Sequence, residues 1–174
     1  MHDHHGDLWV FGYGSLIWRP GFDYVERVSA LLKGAHRKLC IYSHVHRGTP
    51  DKPGLVLGLD HGGACRGVAF RVDDHKRAET VDYLRAREQM NMVYRECVRP
   101  VSLVDGRTVL ALCYIADRSH RQFAAGLSRE DTLRLVRQGH GQSGPNHEYV
   151  RNTALALKDL GIQDSLLDWI AARL

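Results

Sequence analysis

The first two-thirds of the chain consists of short apolar or alternating runs, a pattern that predicts β-strands. Residues 8–11 form a compact apolar run that Gly12 ends, which predicts a buried strand followed by a turn. The segments His61-Gly62-Gly63 and Asp105-Gly106 predict tight hairpin turns between the strands on either side. Further strands are predicted over residues 28–32, 38–43, 55–59, 64–72, 93–104 and 107–116.

A helical period replaces this pattern in the middle of the chain and near its end. Apolar residues recur at helical spacing from Asp74 to about Met90, with Asp73 or Asp74 available as the N-cap. Three further helices are predicted over residues 129–138, 147–160 and 165–174, with Ser128, Asn146 and Asp164 as their N-caps.

Strands that precede helices along the chain favour an α+β fold with a mostly antiparallel, curled or barrel-like sheet. A length of 174 residues fits one domain, which we expect at residues 8–174 after a flexible start at residues 1–7. Apolar residues at 44% and charged residues at 25% exclude a chain that is disordered throughout.

The sequence also indicates a compartment. No apolar run approaches the roughly 20 residues that a membrane helix needs, and the start lacks the basic flank and apolar stretch of a secretion signal. Cys40, Cys65, Cys97 and Cys113 include no C-x-x-C pair and are expected to be reduced core thiols. We therefore expect a cytoplasmic protein without a membrane partner.

Charge and histidine content narrow the class of ligand. The net charge of +4 arises mostly from residues 33–52, where five basic side chains face a single acidic one. A polyanion-binding surface normally has a larger basic field with exposed aromatic residues, so this patch suits a small acidic substrate, or nothing specific, and no nucleic acid. No metal site is expected, because the cluster of His2, His4 and His5 and the pair His44 and His46 lack Cys or acidic partners at ligand spacing, apart from Asp3.

Gly12 and Gly14 bracket Tyr13 directly after the first predicted strand. The backbone can therefore turn sharply and direct several N–H groups to one point, as a carboxylate or an oxyanion requires. A dinucleotide-binding loop would need a third glycine where Ile17 stands. The alternative is a turn with a purely structural role.

Glu88 is the most informative single position. It follows Leu84 by four residues and Val81 by seven, so a helix that continues to Met90 places this carboxylate on the apolar stripe and in the last turn. Desolvation and the helix dipole would both raise its pKa, as a general base that works near neutral pH requires. The alternative is a helix that ends by Arg87, with Glu88 paired to an arginine in solvent.

Tyr149 lies one turn into the helix that follows the glycine-rich residues 139–144. The N-terminus of that helix is suited to an anion, while a flexible connection is the alternative. A tyrosine at this position either contacts a ligand or packs in the core.

Six short segments occur in a specific order along the chain. They are Val10-Phe-Gly-Tyr-Gly-Ser-Leu-Ile-Trp18, His46-Arg-Gly-Thr-Pro50, Lys52-Pro-Gly54, Gly67-Val-Ala-Phe-Arg71, Tyr83-Leu84 with Arg87-Glu88, and Gly139-His-Gly141 with Asn146-His-Glu-Tyr149. As a set, over about residues 8–162, they resemble the ChaC-type γ-glutamylcyclotransferases. The chain departs from that pattern at Met92, where related sequences often have glycine, and in its His-rich start.

The resemblance implies a cyclotransferase-like mixed barrel that cleaves glutathione into 5-oxoproline and cysteinylglycine without a cofactor. It implies that Glu88 is the acid/base. It also implies a substrate cradle formed by Gly12, Tyr13, Gly14, Ser15, Leu16 and Ile17.

This chemistry agrees with the residues. The α-amine of a γ-glutamyl compound can reach its own γ-carbonyl, so the enzyme supplies no nucleophile, metal or water. Glu88 would take a proton from the α-amino group and return it to the departing amine. The N–H groups of residues 12–16 would hold either the oxyanion or the α-carboxylate. Tyr149 would bind the glutamyl head, and Arg47 would either meet the glycine carboxylate or only cover the loop.

Two other functions stay open from the sequence. One is a cyclotransferase for other γ-glutamyl amines or amino acids. The other is a non-catalytic regulator that binds an acidic partner through the basic residues 37–52, although such a protein has no need of a buried carboxylate at Glu88. The sequence makes no prediction of the oligomeric state.

Overall fold

A computed structural model of the protein describes residues 6–88 and 93–174. Within these residues five strands close into a barrel in the order β1-β3-β2-β4-β5. The contact that closes the barrel, between β1 and β5, is parallel, and the other pairings are antiparallel. The strands are β1 (Leu8–Gly12), β2 (Glu26–Ser43), β3 (Gly54–Val72), β4 (Tyr94–Leu103) and β5 (Thr108–Ala116). The predicted α+β fold with a mostly antiparallel barrel is confirmed.

The two longest strands differ from the prediction. Residues 28–32 and 38–43 belong to the single strand β2, and residues 55–59 and 64–72 belong to the single strand β3. The predicted hairpin at 61–63 is therefore wrong. Gly34 stands opposite Gly62 and Gly63 at a register shift of the β2/β3 pair, and all three have positive φ angles. Glycine adopts this conformation without strain, so both strands bend together instead of ending.

The helices of the described residues are α1 (Ser15–Trp18), α2 (Arg77–Glu88), α3 (Arg129–Gln138), α4 (Asn146–Asp159) and α5 (Ser165–Ala171), with a 3₁₀ turn at Asp74–Lys76 before α2. The helices α2 to α5 lie close to the predicted positions, whereas α1 was not predicted, because the sequence indicated only a turn there. The predicted caps Asp73, Ser128 and Asp164 accept backbone hydrogen bonds at their helix starts. Asn146 is not a cap, because its side chain bonds to β3 instead. No helix of the described residues is long and apolar enough to cross a membrane.

The core lies inside the barrel and continues under the C-terminal helices. Phe11, Phe70 and Leu32 are buried in the same cluster as Leu157 of α4 and Ile170 of α5. Burial of this apolar surface against the barrel fixes α4, and with it the side chains that α4 directs toward β3. Two short strands, β6 (His140–Gly141) and β7 (Gly144–Pro145), lead into α4.

Three of the four cysteines are buried free thiols, as expected, namely Cys40, Cys65 and Cys113, while Cys97 is partly exposed. The division into a flexible start at residues 1–7 and one domain at residues 8–174 stays a prediction. His2, His4 and His5, the predicted continuation of α2 to Met90, and Met92 lie outside the described residues.

Candidate active site

A cavity of about 460 Å³ opens beside the barrel, within the size range of small-molecule sites. Its walls come from the segment after β1, the loop between β2 and β3, the end of α2, the start of β4, and α4. Seven residues that the sequence assigned to substrate binding or catalysis line the cavity: Tyr13, Gly14, Ser15, Leu16, Arg47, Glu88 and Tyr149. They come from separate parts of the chain, residues 13–16, Arg47, Glu88 and Tyr149, and share one space.

Gly12 and Ile17 lie behind the cavity wall. A Cβ atom on Gly12 would stand 3.1 Å from Cε2 of Phe70, so this glycine allows β1 to lie close against the core. Ile17 is buried in the main hydrophobic cluster. Both residues support the wall that Tyr13 and its neighbours form.

The segment after β1 is held by an arginine from β2. Nε of Arg37 donates to the carbonyl oxygen of Tyr13 at 2.6 Å, and its guanidinium lies 3.5 Å from the carboxylate of Asp164. Arg37 is buried there, so one of the five basic side chains in residues 33–52 stabilises the site wall instead of forming a free patch.

The edge of β3 beside the cavity is satisfied by side chains. The amide of Asn146 accepts from the backbone N–H of Leu55 at 2.8 Å and donates to the Leu55 carbonyl at 2.8 Å. Two residues further on, the hydroxyl of Tyr149 accepts from the Leu57 N–H, and the hydroxyl of Tyr94 donates to the Leu57 carbonyl, both at 2.9 Å. Alternate residues of a strand direct their backbone N–H and C=O groups to the same side. The side chains of Asn146, Tyr149 and Tyr94 therefore make the hydrogen bonds that a neighbouring strand would otherwise make with β3.

Tyr149 is buried between three neighbours at the cavity wall. A Cβ atom on Gly14 would lie 3.6 Å from the Tyr149 hydroxyl, and the Trp18 ring meets the Tyr149 ring edge-on at 6.3 Å. The guanidinium of Arg47 lies over the same ring at 5.7 Å. Because Gly14 has no side chain, the backbone after β1 lies close to this hydroxyl group at the cavity wall.

Glu88 is the last residue of α2, on the helix face that carries the fully buried Leu84. Its side chain is 14% exposed, and its Oε1 lies 3.7 Å from Nε of Arg87. The two alternatives posed by the sequence thus combine, since the carboxylate is on the buried face and also pairs with an arginine. Burial raises the pKa of Glu88, and the positive charge of Arg87 opposes that rise.

Buried tyrosines line the same cavity as this carboxylate. Burial raises the pKa of Tyr13, Tyr94 and Tyr149 far above neutral pH, and the nearby charge of Glu88 raises each of them further. Their hydroxyl groups therefore stay neutral and can donate or accept hydrogen bonds.

Basic side chains form another part of the cavity wall. Nδ1 of His46 lies 3.0 Å from Oγ of Ser143, and burial together with the charges of Arg47, Arg19 and Arg87 lowers the pKa of His46. Nη1 of Arg47 donates to the carbonyl oxygen of Pro145 at 3.1 Å and lies 3.8 Å from Glu148.

Sequence reasoning missed two residues of the site. Tyr94 begins β4 and has no periodic signal, because its role depends on where the barrel brings Leu57. Arg87 was given no role beyond that of a solvent partner of Glu88, although it stands directly before Glu88 in one of the segments that carry the family resemblance. Within residues 6–88 and 93–174, no group of three or more His, Cys, Asp and Glu side chains is arranged to hold a metal ion.

Residues 8–173 match the family model described as ChaC-like protein. The chain belongs to the ChaC-like family. The resemblance found in the sequence is therefore confirmed.

Relatives in this family match most of the chain. A glutathione-specific gamma-glutamylcyclotransferase of Escherichia coli (strain K12) is 33% identical over 163 residues, which cover 94% of this chain and 71% of that protein. Gamma-glutamylcyclotransferase 2-3 of Arabidopsis thaliana is 32% identical over 165 residues, which cover 90% of this chain and 83% of that protein.

The crystal structure of a yeast gamma-glutamyl cyclotransferase specific to glutathione has the same fold. It superposes with a TM-score of 0.88 at 24% identity, over 96% of this chain and 95% of that chain. The barrel and its flanking helices are thus shared with a solved structure.

Proposed function

We propose that this protein is a γ-glutamylcyclotransferase that cleaves glutathione into 5-oxoproline and cysteinylglycine, with Glu88 as the general acid/base. The observation that carries the proposal is a buried carboxylate with a raised pKa in a cavity among neutral tyrosine hydroxyls. The names of the relatives in the ChaC-like family support glutathione as the substrate.

The reaction requires a cavity of suitable shape and one group that carries a proton. The α-amine nitrogen of the γ-glutamyl group attacks its own γ-carbonyl carbon, and the bond from that carbon to the cysteine nitrogen breaks. A cavity that folds the glutamyl chain into this geometry exploits the large effective concentration of an intramolecular reaction. The substrate supplies the nucleophile itself.

Glu88 carries the proton between the two nitrogens. As a carboxylate it takes a proton from the α-amino group while the new C–N bond forms. As a carboxylic acid it then gives that proton to the departing cysteine nitrogen. A pKa raised above that of an ordinary glutamate suits both steps, because a carboxylate with a very low pKa would be a weak base.

The segment after β1 is the proposed cradle for the glutamyl head. Gly14 precedes α1, and Ser15 and Leu16 begin it at the cavity wall, where the first N–H groups of a helix lack intrahelical acceptors. These groups are suited to an oxyanion or to the substrate α-carboxylate. Gly12, Tyr13 and Ile17 support the cradle, and the hydroxyl of Tyr149 faces the head from the opposite wall.

Arg47 is the proposed contact for the glycine carboxylate of glutathione. It lines the basic part of the cavity wall, and its guanidinium matches the geometry of a carboxylate.

The free thiols and the absence of a membrane-length apolar run in the sequence support a reducing, cytoplasmic location for this reaction.

A product assay tests the proposal. Purified protein is incubated with glutathione, and the released 5-oxoproline and cysteinylglycine are quantified. A parallel reaction uses γ-glutamyl-alanine as the substrate. We expect both products of glutathione in equal amounts and much slower turnover of γ-glutamyl-alanine. Equal rates on both substrates would favour a general γ-glutamylcyclotransferase, and no turnover of either would refute the proposed activity.

A further inference from the structure

The Arg87 guanidinium joins the end of α2 to the segment after β1. Its Nη2 donates to Oγ of Ser15 at 2.9 Å, and its Nη1 donates to the hydroxyl of Tyr83 at 2.9 Å. Nη1 also donates to the carbonyl oxygens of Arg19 and Pro20, the second at 3.1 Å. Because a guanidinium is a rigid planar fork, acceptors on several sides fix both its place and its plane.

The same guanidinium lies against the proposed acid/base. Its Nε is 3.7 Å from Oε1 of Glu88, and the two side chains are 19% and 14% exposed. Arg87 therefore touches, at once, the carboxylate that would move the proton and the segment that would hold the glutamyl head.

We propose that Arg87 is a positioning residue, which holds the Glu88 carboxylate and the segment after β1 in one fixed relation to each other. This inference rests on the proposed cyclotransferase function. Without the Arg87 hydrogen bonds, α2 and the segment after β1 would move independently of each other. The Glu88 carboxylate would then lose its alignment with the substrate α-amine. A misplacement of about 1 Å in such a geometry can cost about 100-fold in rate.

Electrostatics provide a readout that a purely structural role would not change. The titratable groups that interact electrostatically with Glu88 are Arg87 on its own helix, Tyr13 after β1, Tyr94 on β4, Tyr114 on β5 and Tyr149 on α4. The tyrosines are neutral, so within the described part of the chain Arg87 supplies the positive charge that opposes the rise in the Glu88 pKa. Loss of that charge raises the pKa further.

The test compares three substitutions with a matched control. Arg87→Met removes both the fork and the charge, Arg87→Lys keeps the charge without the fork, and Tyr83→Phe removes one of the acceptors. Arg85→Met is the control, because Arg85 stands two residues earlier on the same helix and pairs with the Glu96 carboxylate at 3.1 Å. For each variant, kcat and KM for glutathione are measured across pH, together with the melting temperature.

We expect Arg87→Met to lower kcat by about 10- to 100-fold with a smaller change in KM, and to move the acid limb of kcat/KM to higher pH. Arg87→Lys should lower kcat while the acid limb stays close to that of the unaltered protein. Tyr83→Phe should lower kcat by about fivefold. Arg85→Met should leave kcat and the pH profile unchanged.

The inference is overturned if Arg87→Met has the kcat of Arg85→Met, or if its acid limb does not move. Should Arg87→Met fail to fold, full kcat in both Arg87→Lys and Tyr83→Phe would overturn it equally. Failure of the proposed function is a separate outcome, because the unaltered protein would then release no 5-oxoproline from glutathione.

Discussion

The hydroxyl of Tyr149 accepts a hydrogen bond of 2.9 Å from the backbone N–H of Leu57, which lies 92 residues earlier in the chain. This bond attaches α4 to the open edge of β3 at the cavity wall. The same hydroxyl therefore stabilises the edge of the barrel and, in the proposed function, also binds the glutamyl head.

Tyr149→Phe is expected to affect both roles. Loss of the acceptor leaves the buried Leu57 N–H without this partner, which should lower the free energy of unfolding by about 1–3 kcal/mol. Turnover should fall for glutathione and γ-glutamyl-alanine alike, because the head is common to both. Thermal melts and kinetics on both substrates check this, with the exposed Tyr24→Phe as control. A loss confined to glutathione would contradict the assignment of Tyr149 to the head.

Asn146→Ala is expected to destabilise the fold more than a surface change on the same helix. The substitution leaves the N–H and the C=O of the fully buried Leu55 without their partner, at a cost of about 2–5 kcal/mol. Denaturant unfolding of Asn146→Ala and of the exposed Arg151→Ala gives the comparison. Equal stability of the two variants would show that the amide does not replace a strand at this edge.

Arg47→Ala is expected to weaken the binding of glutathione, mainly as an increase in KM. A charged hydrogen bond is worth about 1.5–3 kcal/mol, so kcat/KM for glutathione should fall by about 10- to 100-fold, while γ-glutamyl-alanine is almost unaffected. The exposed Lys52→Ala on the same loop is the control for a general effect of charge. If both substrates lost activity equally, Arg47 would act on the cavity wall through Tyr149 and not on the tail.

The pH dependence should report a shifted carboxyl group. Burial raises the pKa of Glu88, so its protonated form persists to a higher pH than the ordinary value of about 4.3. Because only the carboxylate can accept the proton, kcat/KM should fall as the pH drops through this raised pKa. An acid limb at or below the ordinary value in the unaltered protein would contradict a buried general base.

The sequence predicted the elements of this fold better than their continuity. Period-two runs and caps located β4, β5, α3 and α5 because those signals are local. The double glycine at 62–63 resembles a hairpin turn when it is considered alone. Its actual role depends on Gly34, which lies opposite it and bends β2 at the same point, and this pairing cannot be recognised from local sequence. Asn146 resembled an N-cap for the same reason, since its true partner Leu55 is distant in sequence.

In the candidate site, too, local sequence signals predicted some residues, while residues whose role depends on distant contacts were missed. Helical spacing alone placed Glu88 on the apolar face of α2, and the glycines at 12 and 14 indicated a turn beside the site. Tyr94 could not be found in this way, because its hydroxyl has a role only once the closed barrel brings β4 to the edge of β3. Local periodicity specifies which face a residue occupies, while the topology decides what it meets.

Glu88→Gln is the most direct test of the account. The substitution preserves side-chain volume and removes the titratable group, so the melting temperature should change little. Release of 5-oxoproline and cysteinylglycine from glutathione should fall by about 10²- to 10⁴-fold relative to the unaltered protein. Turnover by Glu88→Gln at close to the original rate would show that this carboxylate is not the proton carrier.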